Sequence, residues 1–150
     1  NKRKRHSFAL MLPSALPSDS TDPTTSLDLS IVIVSWNTRK LLDDCLQSVF
    51  TSLQTVQAEV FVVDNASSDG SGGLVRDKYP QVKLIQNTEN VGFARANNQA
   101  IPKAQGRYVL LLNSDTIVPT GALDALVTVM DAHPEAAVCS PFLITGDGSP

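Results

Sequence analysis

Two aspartates stand where apolar segments end, and both could recognise a ligand. Asp64 closes the segment EVFVVD at residues 59–64, and Asp115 closes Asn113-Ser114-Asp115 after the segment YVLLL at residues 108–112. A fixed carboxylate can accept a charge-assisted hydrogen bond from a ring N–H, such as N3–H of a pyrimidine base. A carboxylate with an amide oxygen nearby suits Mg²⁺ or Mn²⁺, which take oxygen ligands.

Each aspartate also has a structural interpretation, which the sequence leaves open. Asp64 begins Asp-Asn-Ala-Ser, a typical turn or capping sequence, and Asp115 can cap the segment that follows it. Asp69 is assigned a structural role, because it can cap the helix predicted shortly after it. Asn37 or Thr38 is predicted to cap the first long helix. The chemistry of the two strand-end aspartates therefore depends on where the fold places them.

The segments that position these residues alternate between strand and helix patterns. Apolar or β-branched runs predict strands, and helical spacing of apolar residues predicts helices. The strands are predicted at residues 30–35, 59–64, 82–86, 108–112 and 136–143, and the helices at residues 38–53, 71–78, 92–101 and 120–132. This alternation predicts an α/β fold with a mostly parallel sheet and helices on both faces.

Ligands of such sheets bind at the carboxyl ends of the strands, so the residues after each strand matter most. Four polar groups stand there: Ser35-Trp36-Asn37, Asp64-Asn65, residues 87–92, and Asn113-Ser114-Asp115. The helix after the third group opens with Gly92 and small residues, which allow close approach of a ligand to its N-terminus. Arg95 is expected either to face a bound nucleotide or to make an ion pair on the surface. Asn97 or Asn98, both poor helix-interior residues, is expected to serve a site or bond a loop.

Composition and other motifs narrow the functional class. The 150 residues suffice for one domain, and a net charge of −3 makes no case for nucleic-acid binding. Neither GxxxxGK[ST] nor a GxGxxG after the first strand is present, which argues against a P-loop or a dehydrogenase-type dinucleotide fold. Cys45 and Cys139 lie outside metal-ligand spacing, and both are predicted to be buried, reduced thiols, as in a cytosolic protein.

Residues 1–28 are rich in Ser, Thr, Pro and Asp, and they are predicted to be a flexible leader, with order beginning at Leu29. The basic residues 2–5 are interpreted as a solvated tail. The apolar run at residues 8–12 is too short for the core of a signal sequence. Because the first residue is Asn rather than Met, the chain is expected to be a piece of a longer protein.

Four segments together resemble the family 2 glycosyltransferases, which have the GT-A fold. They are SIVIVSWN (30–37), VVDNASSDGS (62–71), NVGFARANNQA (90–100) and LLLNSDT (110–116), in the order and spacing of that family. Each segment is common alone, and the four in register are specific. The resemblance covers residues 29–150 and is closest to the rhamnosyltransferase-like branch.

The resemblance implies roles for particular residues. In that family the segment after the first strand lines the base pocket, the Asp ending the second strand meets the base N3–H, and an Asp-x-Asp motif holds metal and diphosphate. Here Asn113 replaces the first Asp of that motif, so Asp115 remains as metal ligand and the metal depends more on the phosphates of the donor. The predicted nucleotide-sugar-binding residues are Ser35, Trp36, Asn37, Asp64, Asn65, Gly92, Arg95, Asn97, Asn113 and Ser114.

The resemblance also implies an activity. Such enzymes move a sugar from a nucleoside diphosphate, here a dTDP- or UDP-sugar, to a hydroxyl of a glycan or lipid-linked acceptor, with inversion and with Mg²⁺ or Mn²⁺. Their catalytic base and their acceptor-binding half lie beyond the position of residue 150, so the chain is expected to be truncated before that half, and Asp147 does not match the base. The chain is therefore expected to bind donor and transfer little or no sugar. A cytoplasmic location is implied, and peripheral association with the inner face of the membrane stays open.

Two alternatives remain from the sequence. A sugar-phosphate nucleotidyltransferase would need a Gly-rich loop with Lys or Arg after the first strand, and residues 35–38 offer none. A non-catalytic module that binds nucleotide sugars would keep the donor site and lack transfer. Donor binding and sugar transfer separate these alternatives.

Overall fold

The computed structural model describes residues 8–11 and 26–141, which form an α/β fold as predicted. The strands are β1 (Phe8–Met11), β2 (Leu29–Ser35), β3 (Ala58–Asp64), β4 (Lys83–Gln86), β5 (Tyr108–Asn113) and β6 (Val138–Cys139). The helices are α1 (Arg39–Ser52), α2 (Ser71–Lys78), α3 (Phe93–Ala100) and α4 (Ala122–Ala132), and a 3₁₀ turn at Ile101–Lys103 follows α3. Among the described helices, none is long and apolar enough to cross a bilayer.

The six strands form one sheet in the order β4-β3-β2-β5-β1-β6. β4, β3, β2 and β5 run parallel, whereas β1 pairs antiparallel with β5 and with β6. β1 corrects the expectation that order begins at Leu29, because four residues of the predicted leader supply backbone hydrogen bonds to the edge of β5. The remaining residues of that leader lie outside the described ranges.

Both faces of β2, β3 and β5 are buried, which explains their continuous apolar sequences, whereas β4 at the edge of the sheet is only partly buried. One face packs against α1, α2 and α4, with Ile31, Ile33, Val60, Val62, Leu110 and Leu112 in its core. The other face packs against α3, with Val32, Phe61, Val63 and Val109 in its core. By this alternation Ser35 and Asp64 end on the face of α1 and α2, whereas Asn113 ends on the α3 face.

A buried carboxylate holds the amino-terminal edge of the sheet. Glu59 on β3 accepts hydrogen bonds from Ser30 Oγ, Lys83 Nζ and the Gln105 N–H, each at 2.6 Å. Burial raises the pKa of Glu59, but the bonds from Lys83 and Ser30 outweigh it and hold the pKa below its usual value. The network joins β2, β3, β4 and the loop before β5, so it fixes strands whose other ends carry the predicted site.

Three further predictions are corrected, on a helix cap, on a strand boundary and on the burial of a thiol. No side chain of Asn37 or Thr38 caps α1; instead Asp69 Oδ2 accepts from the Arg39 N–H at 2.8 Å. The last strand spans only Val138–Cys139 rather than residues 136–143, because residues 136–137 and 140–141 are not in a strand, and residues 142–143 of the prediction lie outside the described range. Cys45 is buried and Cys139 is only half-buried, so the prediction of two buried thiols holds for one; both are unpaired.

Candidate functional site

The strand register brings the two predicted acidic motifs to one edge of the sheet. Ser35 at the end of β2 lies beside Asp64 at the end of β3, and Val34 lies beside Asn113 at the end of β5. Adjacent strands are about 4.8 Å apart, so the Asp64 and Asn113 backbones, which flank β2, lie roughly 10 Å from each other. Both motifs therefore lie at the carboxyl edge of the parallel strands.

Asp64 is held firmly for a strand-end residue. Its side chain is only 3% exposed, and its Oδ1 accepts from the Ser67 N–H at 3.1 Å. Its Oδ2 accepts from Gln86 Nε2 at 3.4 Å. Each carboxylate oxygen has two lone pairs, so both retain capacity for one further donor.

Asn65 organises the loop after β4. Its Oδ1 accepts from Asn87 Nδ2 at 3.1 Å and from the Val91 N–H at 3.0 Å, and its Nδ2 donates to Asn90 Oδ1 at 2.7 Å. Asn65 is 2% exposed, and these bonds satisfy most of its amide. The structure thus shows Asn65 supporting the loop that leads to α3, and its direct contact with a nucleotide stays a prediction.

A chain of hydroxyl groups crosses from β2 to the loop after β5. Ser35 Oγ and Thr38 Oγ1 are 2.9 Å apart, and Thr38 Oγ1 and Ser114 Oγ are 3.0 Å apart. Ser114 is buried, although it lies in a polar loop. The chain joins the loop after β2 to Asn113-Ser114-Asp115, and Thr38, which sequence reasoning had considered only as a cap, is its centre.

The loops after β2 and β3 are also joined. The Asn37 N–H donates to Ser67 Oγ at 2.9 Å, and Asn37 Oδ1 accepts from the Ser68 N–H at 2.8 Å. Asn37 and Ala66 have φ values of 53° and 63°, a left-handed conformation that non-glycine residues adopt rarely. Asp69 bonds both the Arg39 and the Ser71 N–H groups, which confirms its structural role and extends it to α1.

The Asn113-Ser114-Asp115 segment forms a tight turn closed by the Thr116 N–H on Asn113 O, 3.2 Å away. Behind it, Cys45 Sγ lies 3.6 Å from the same oxygen. Burial raises the pKa of Cys45 to about 12, and the Asp115 charge contributes to this shift. Over the described ranges no three His, Cys, Asp or Glu side chains are placed to hold a metal by themselves.

The N-terminal part of α3 carries three further predicted residues. Gly92 precedes the helix with φ of 82°, and its N–H donates to Asn90 Oδ1 at 2.9 Å. Arg95 is exposed and forms no ion pair with any residue in the described ranges. Asn97 is 3% exposed, and its Nδ2 donates to Phe93 O. Its Oδ1 has no hydrogen-bond partner among the described residues, which is uncommon for a buried polar atom.

Some residues around the site were not predicted from the sequence. Phe93 was not predicted as a site residue and is 49% exposed. The predicted site residue Trp36 is 55% exposed at the carboxyl edge of the sheet. Gly72 was assigned no role in the site; it lies in α2, so close to Asp64 that a Cβ would stand 2.6 Å from Oδ2. Gln86 was seen only as the end of a strand. A glycine near the start of a helix was the available signal for Gly72, and no local pattern identified Gln86.

A parallel α/β sheet with polar side chains and a buried carboxylate at its carboxyl edge defines a class of domain that binds its ligand at that edge. The chain belongs to glycosyl transferase family 2, whose model matches residues 30–150. The predicted family is therefore confirmed.

Two curated relatives illustrate the similarity. The chain is 33% identical over 102 residues to a poly(ribitol-phosphate) beta-glucosyltransferase of Bacillus spizizenii, covering 65% of this chain and 16% of that protein. It is 28% identical over 133 residues to an N-acetylglucosaminyl-diphospho-decaprenol L-rhamnosyltransferase of Mycobacterium tuberculosis, covering 81% of this chain and 43% of that protein. The chain thus spans less than half the length of either relative.

Solved structures confirm the predicted GT-A fold. Staphylococcus aureus TarS 1–349 in complex with UDP-GlcNAc aligns with a TM-score of 0.66 at 26% identity, over 72% of this chain and 32% of that one. The mannosyltransferase PcManGT of Pyrobaculum calidifontis, in complex with GDP-Man and Mn²⁺, aligns with a TM-score of 0.61 at 28% identity, over 75% of this chain and 34% of that one.

Proposed function

We propose that this chain forms the donor-binding part of a glycosyltransferase, which binds a nucleoside-diphosphate sugar at the carboxyl edge of the sheet. The observation that carries the proposal is the convergence of Asp64 and Asn113-Ser114-Asp115 on that edge, on the two strands that flank β2. A buried carboxylate on one side and an oxygen-bearing turn on the other suit the two ends of a nucleoside diphosphate. Membership of the family supports the same class of reaction.

Asp64 is proposed to recognise the base. Uracil, thymine and guanine all present a ring N–H beside a carbonyl, and a buried carboxylate with a spare lone pair is the natural acceptor. Cytosine has a bare acceptor nitrogen at the equivalent position, so Asp64 should reject it. Ser35, Trp36 and Asn37 adjoin this position from β2, and the exposed Trp36 ring can pack against a base or ribose.

Asp115 is proposed to hold a divalent cation, Mg²⁺ or Mn²⁺. Asn113, Ser114 and Asp115 offer oxygen ligands only, which suits a hard cation, and they provide one carboxylate between them. That donor set fits a cation that receives its other ligands from water and from the diphosphate. When bound, such a cation neutralises the charge that develops on the departing diphosphate. The chain's own contribution is to fix the turn through Thr38 and Ser114.

The α3 residues are proposed to contact the rest of the donor. The unpartnered Asn97 Oδ1 is buried and needs a donor, which a hydroxyl of the donor sugar or ribose would supply. Arg95, exposed and without an ion-pair partner among the described residues, is available to the diphosphate. A Cβ at Gly92 would meet no atom within 4 Å, so there is open space beside the start of α3. Because glycine has no side chain to project into this space, the space stays open to the donor.

The reaction proposed for the complete protein is transfer of the sugar, with inversion, to a hydroxyl of a glycan or lipid-linked acceptor. The proposed base of the donor is uracil or thymine. We assign no catalytic base to this chain and expect that residue downstream of it, so the chain itself should bind donor with little transfer. The proposed location is cytoplasmic, at the inner face of the membrane where the acceptor is a lipid.

Calorimetry of UDP and dTDP binding, with and without Mn²⁺, tests the proposal. Asp64→Asn should weaken binding with or without metal, because the amide cannot replace a charged acceptor, by about tenfold or more. Asp115→Ala should abolish the gain in affinity that Mn²⁺ provides and leave metal-free binding unchanged. Asp77→Ala, on the exposed side of α2, is the matched control.

The proposal fails if Asp115→Ala retains the full metal-dependent gain, or if Asp64→Asn binds UDP and dTDP as the unsubstituted chain does. A transfer assay on the complete protein then distinguishes an enzyme from a module that only binds nucleotide sugars. A module would bind the donor and release no nucleoside diphosphate in the presence of acceptor.

A further inference from the structure

Gln86, at the carboxyl end of β4, lies between the Asp64 carboxylate and the guanidinium group of Arg76. Its Nε2 donates to Asp64 Oδ2 at 3.4 Å, and its Oε1 accepts from Nη1 of Arg76 on α2. An arginine can only donate and a carboxylate can only accept, so the amide has one favourable orientation, with Oε1 toward Arg76. The three side chains form a directed series of hydrogen bonds from an exposed cation to a buried carboxylate.

This series restricts a side chain that would otherwise rotate. The χ2 torsion of aspartate is broad and lets the carboxylate plane turn. In this fold Oδ1 is bonded by the Ser67 N–H from the loop after β3, whereas Oδ2 is bonded from β4. The Cα of Gly72 closes a third side, since a Cβ there would stand 2.6 Å from Oδ2 and closer still to Gln86 Nε2. Anchors on opposite oxygens therefore set the plane in which the remaining lone pairs lie.

We propose that Gln86 is a positioning residue for nucleobase recognition, fixing the plane of the Asp64 carboxylate so that a lone pair faces the ring N–H of the base, with Arg76 fixing the Gln86 amide. The inference rests on the proposed role of Asp64. The Gln86–Asp64 bond is long, so its main effect is on orientation, because hydrogen-bond strength falls steeply with misalignment. Loss of Gln86 should accordingly reduce discrimination between bases rather than binding of the diphosphate.

Gln86→Leu tests this, since leucine has a similar reach and neither donates nor accepts. Dissociation constants for UDP and CDP, measured by calorimetry with Mn²⁺, give the ratio that reports on the ring N–H. We expect UDP binding to weaken about fivefold to twentyfold, with CDP binding and the melting temperature nearly unchanged. Gln81→Leu, the same substitution at an exposed position between α2 and β4, is the matched control and should leave the ratio unaltered.

Arg76→Leu supplies a second test on an exposed side chain, where no folding defect is expected. It frees the Gln86 amide to rotate, so UDP binding should weaken about twofold to fivefold while CDP binding stays the same. If Gln86→Leu does not fold, the Arg76→Leu result decides the question alone.

Asp64→Asn separates the inference from the function on which it rests. If Asp64→Asn loses UDP selectivity while Gln86→Leu and Arg76→Leu keep it, the positioning role is refuted and the base-recognition role stands. If Asp64→Asn keeps UDP selectivity, the proposed function of Asp64 is refuted first. Equal weakening of UDP and CDP in Gln86→Leu would show a general structural role and would also overturn the inference.

Discussion

Gly72 and Gly73 are adjacent in α2 and provide a sharp test of how tightly the Asp64 carboxylate is held. A Cβ added at Gly73 would meet no atom within 4 Å, whereas one added at Gly72 would stand 2.6 Å from Asp64 Oδ2 and closer still to Nε2 of Gln86, which donates to that oxygen. Alanine is favoured over glycine in a helix interior by about 1 kcal/mol. The two substitutions to alanine thus make the same helix-propensity change and differ in what the methyl group displaces.

Gly73→Ala should stabilise the chain by about 1 kcal/mol, seen as a rise of a few degrees in melting temperature. Gly72→Ala gains the same propensity term but loses about 1–3 kcal/mol to overpacking, because Asp64 is nearly buried. Its net stability should fall between no change and about 2 kcal/mol of destabilisation. Urea denaturation of both variants measures the difference directly.

The functional consequence follows from the displaced carboxylate. If Asp64 loses its alignment with the ring N–H, a hydrogen bond to a charged group worth about 1.5–3 kcal/mol is weakened, which is about tenfold to a hundredfold in the dissociation constant for UDP. Gly73→Ala should bind UDP as the unsubstituted chain does. The reasoning is refuted if Gly72→Ala folds and retains full UDP affinity, or if the two variants lose affinity equally.

Two further predictions concern groups remote from the base. Asp124 accepts from the Thr55 hydroxyl and from the N–H groups of Gln54, Thr55 and Val56, bonds that hold its pKa at about 2 against an ordinary value of 3.8. Asp124→Ala should therefore cost about 1–2 kcal/mol at pH 7, and most of this cost should be lost as pH falls from about 4 to below 2, as the folded carboxylate becomes protonated. Urea titrations at each pH check it, and a cost undiminished at pH 2 contradicts it. Burial raises the pKa of the Cys45 thiol to about 12, so Cys45 should resist a thiol reagent at pH 8 in the native chain and react with it only in denaturant. The half-buried Cys139 should react first. Rapid labelling of both thiols in the native chain would disprove this.

Much of the fold was predictable because the inner parallel strands β2, β3 and β5 bury both faces. Such strands must be apolar along their whole length, so EVFVVD and YVLLL stand out from the helices between them. All four helices were predicted to within two residues at each end, and Pro102 lies in the 3₁₀ turn that follows α3. β1 escaped prediction, because four apolar residues inside a polar segment form a strand only when an existing sheet edge accepts them.

The candidate site was likewise predictable only in part. Asp64 and Asp115 could be selected from the sequence, since a polar residue that ends a buried strand must emerge at a sheet edge. The supporting contacts could not be selected. Gln86 bonds Asp64 across 22 positions of sequence, and Thr38 bonds Ser114 across 76, so neither pair leaves a local pattern.

The amino-acid sequence by itself determined the order of strands and helices, the family, and which strand ends carry acidic or amide side chains, because each depends on residue types within a few positions of one another. Only the tertiary structure decided that Asn65 bonds the loop after β4, that Gly72 abuts the Asp64 carboxylate, and that Gln86 donates to this carboxylate and accepts from Arg76. Those relations depend on strand order and helix packing, which bring distant segments within hydrogen-bond distance.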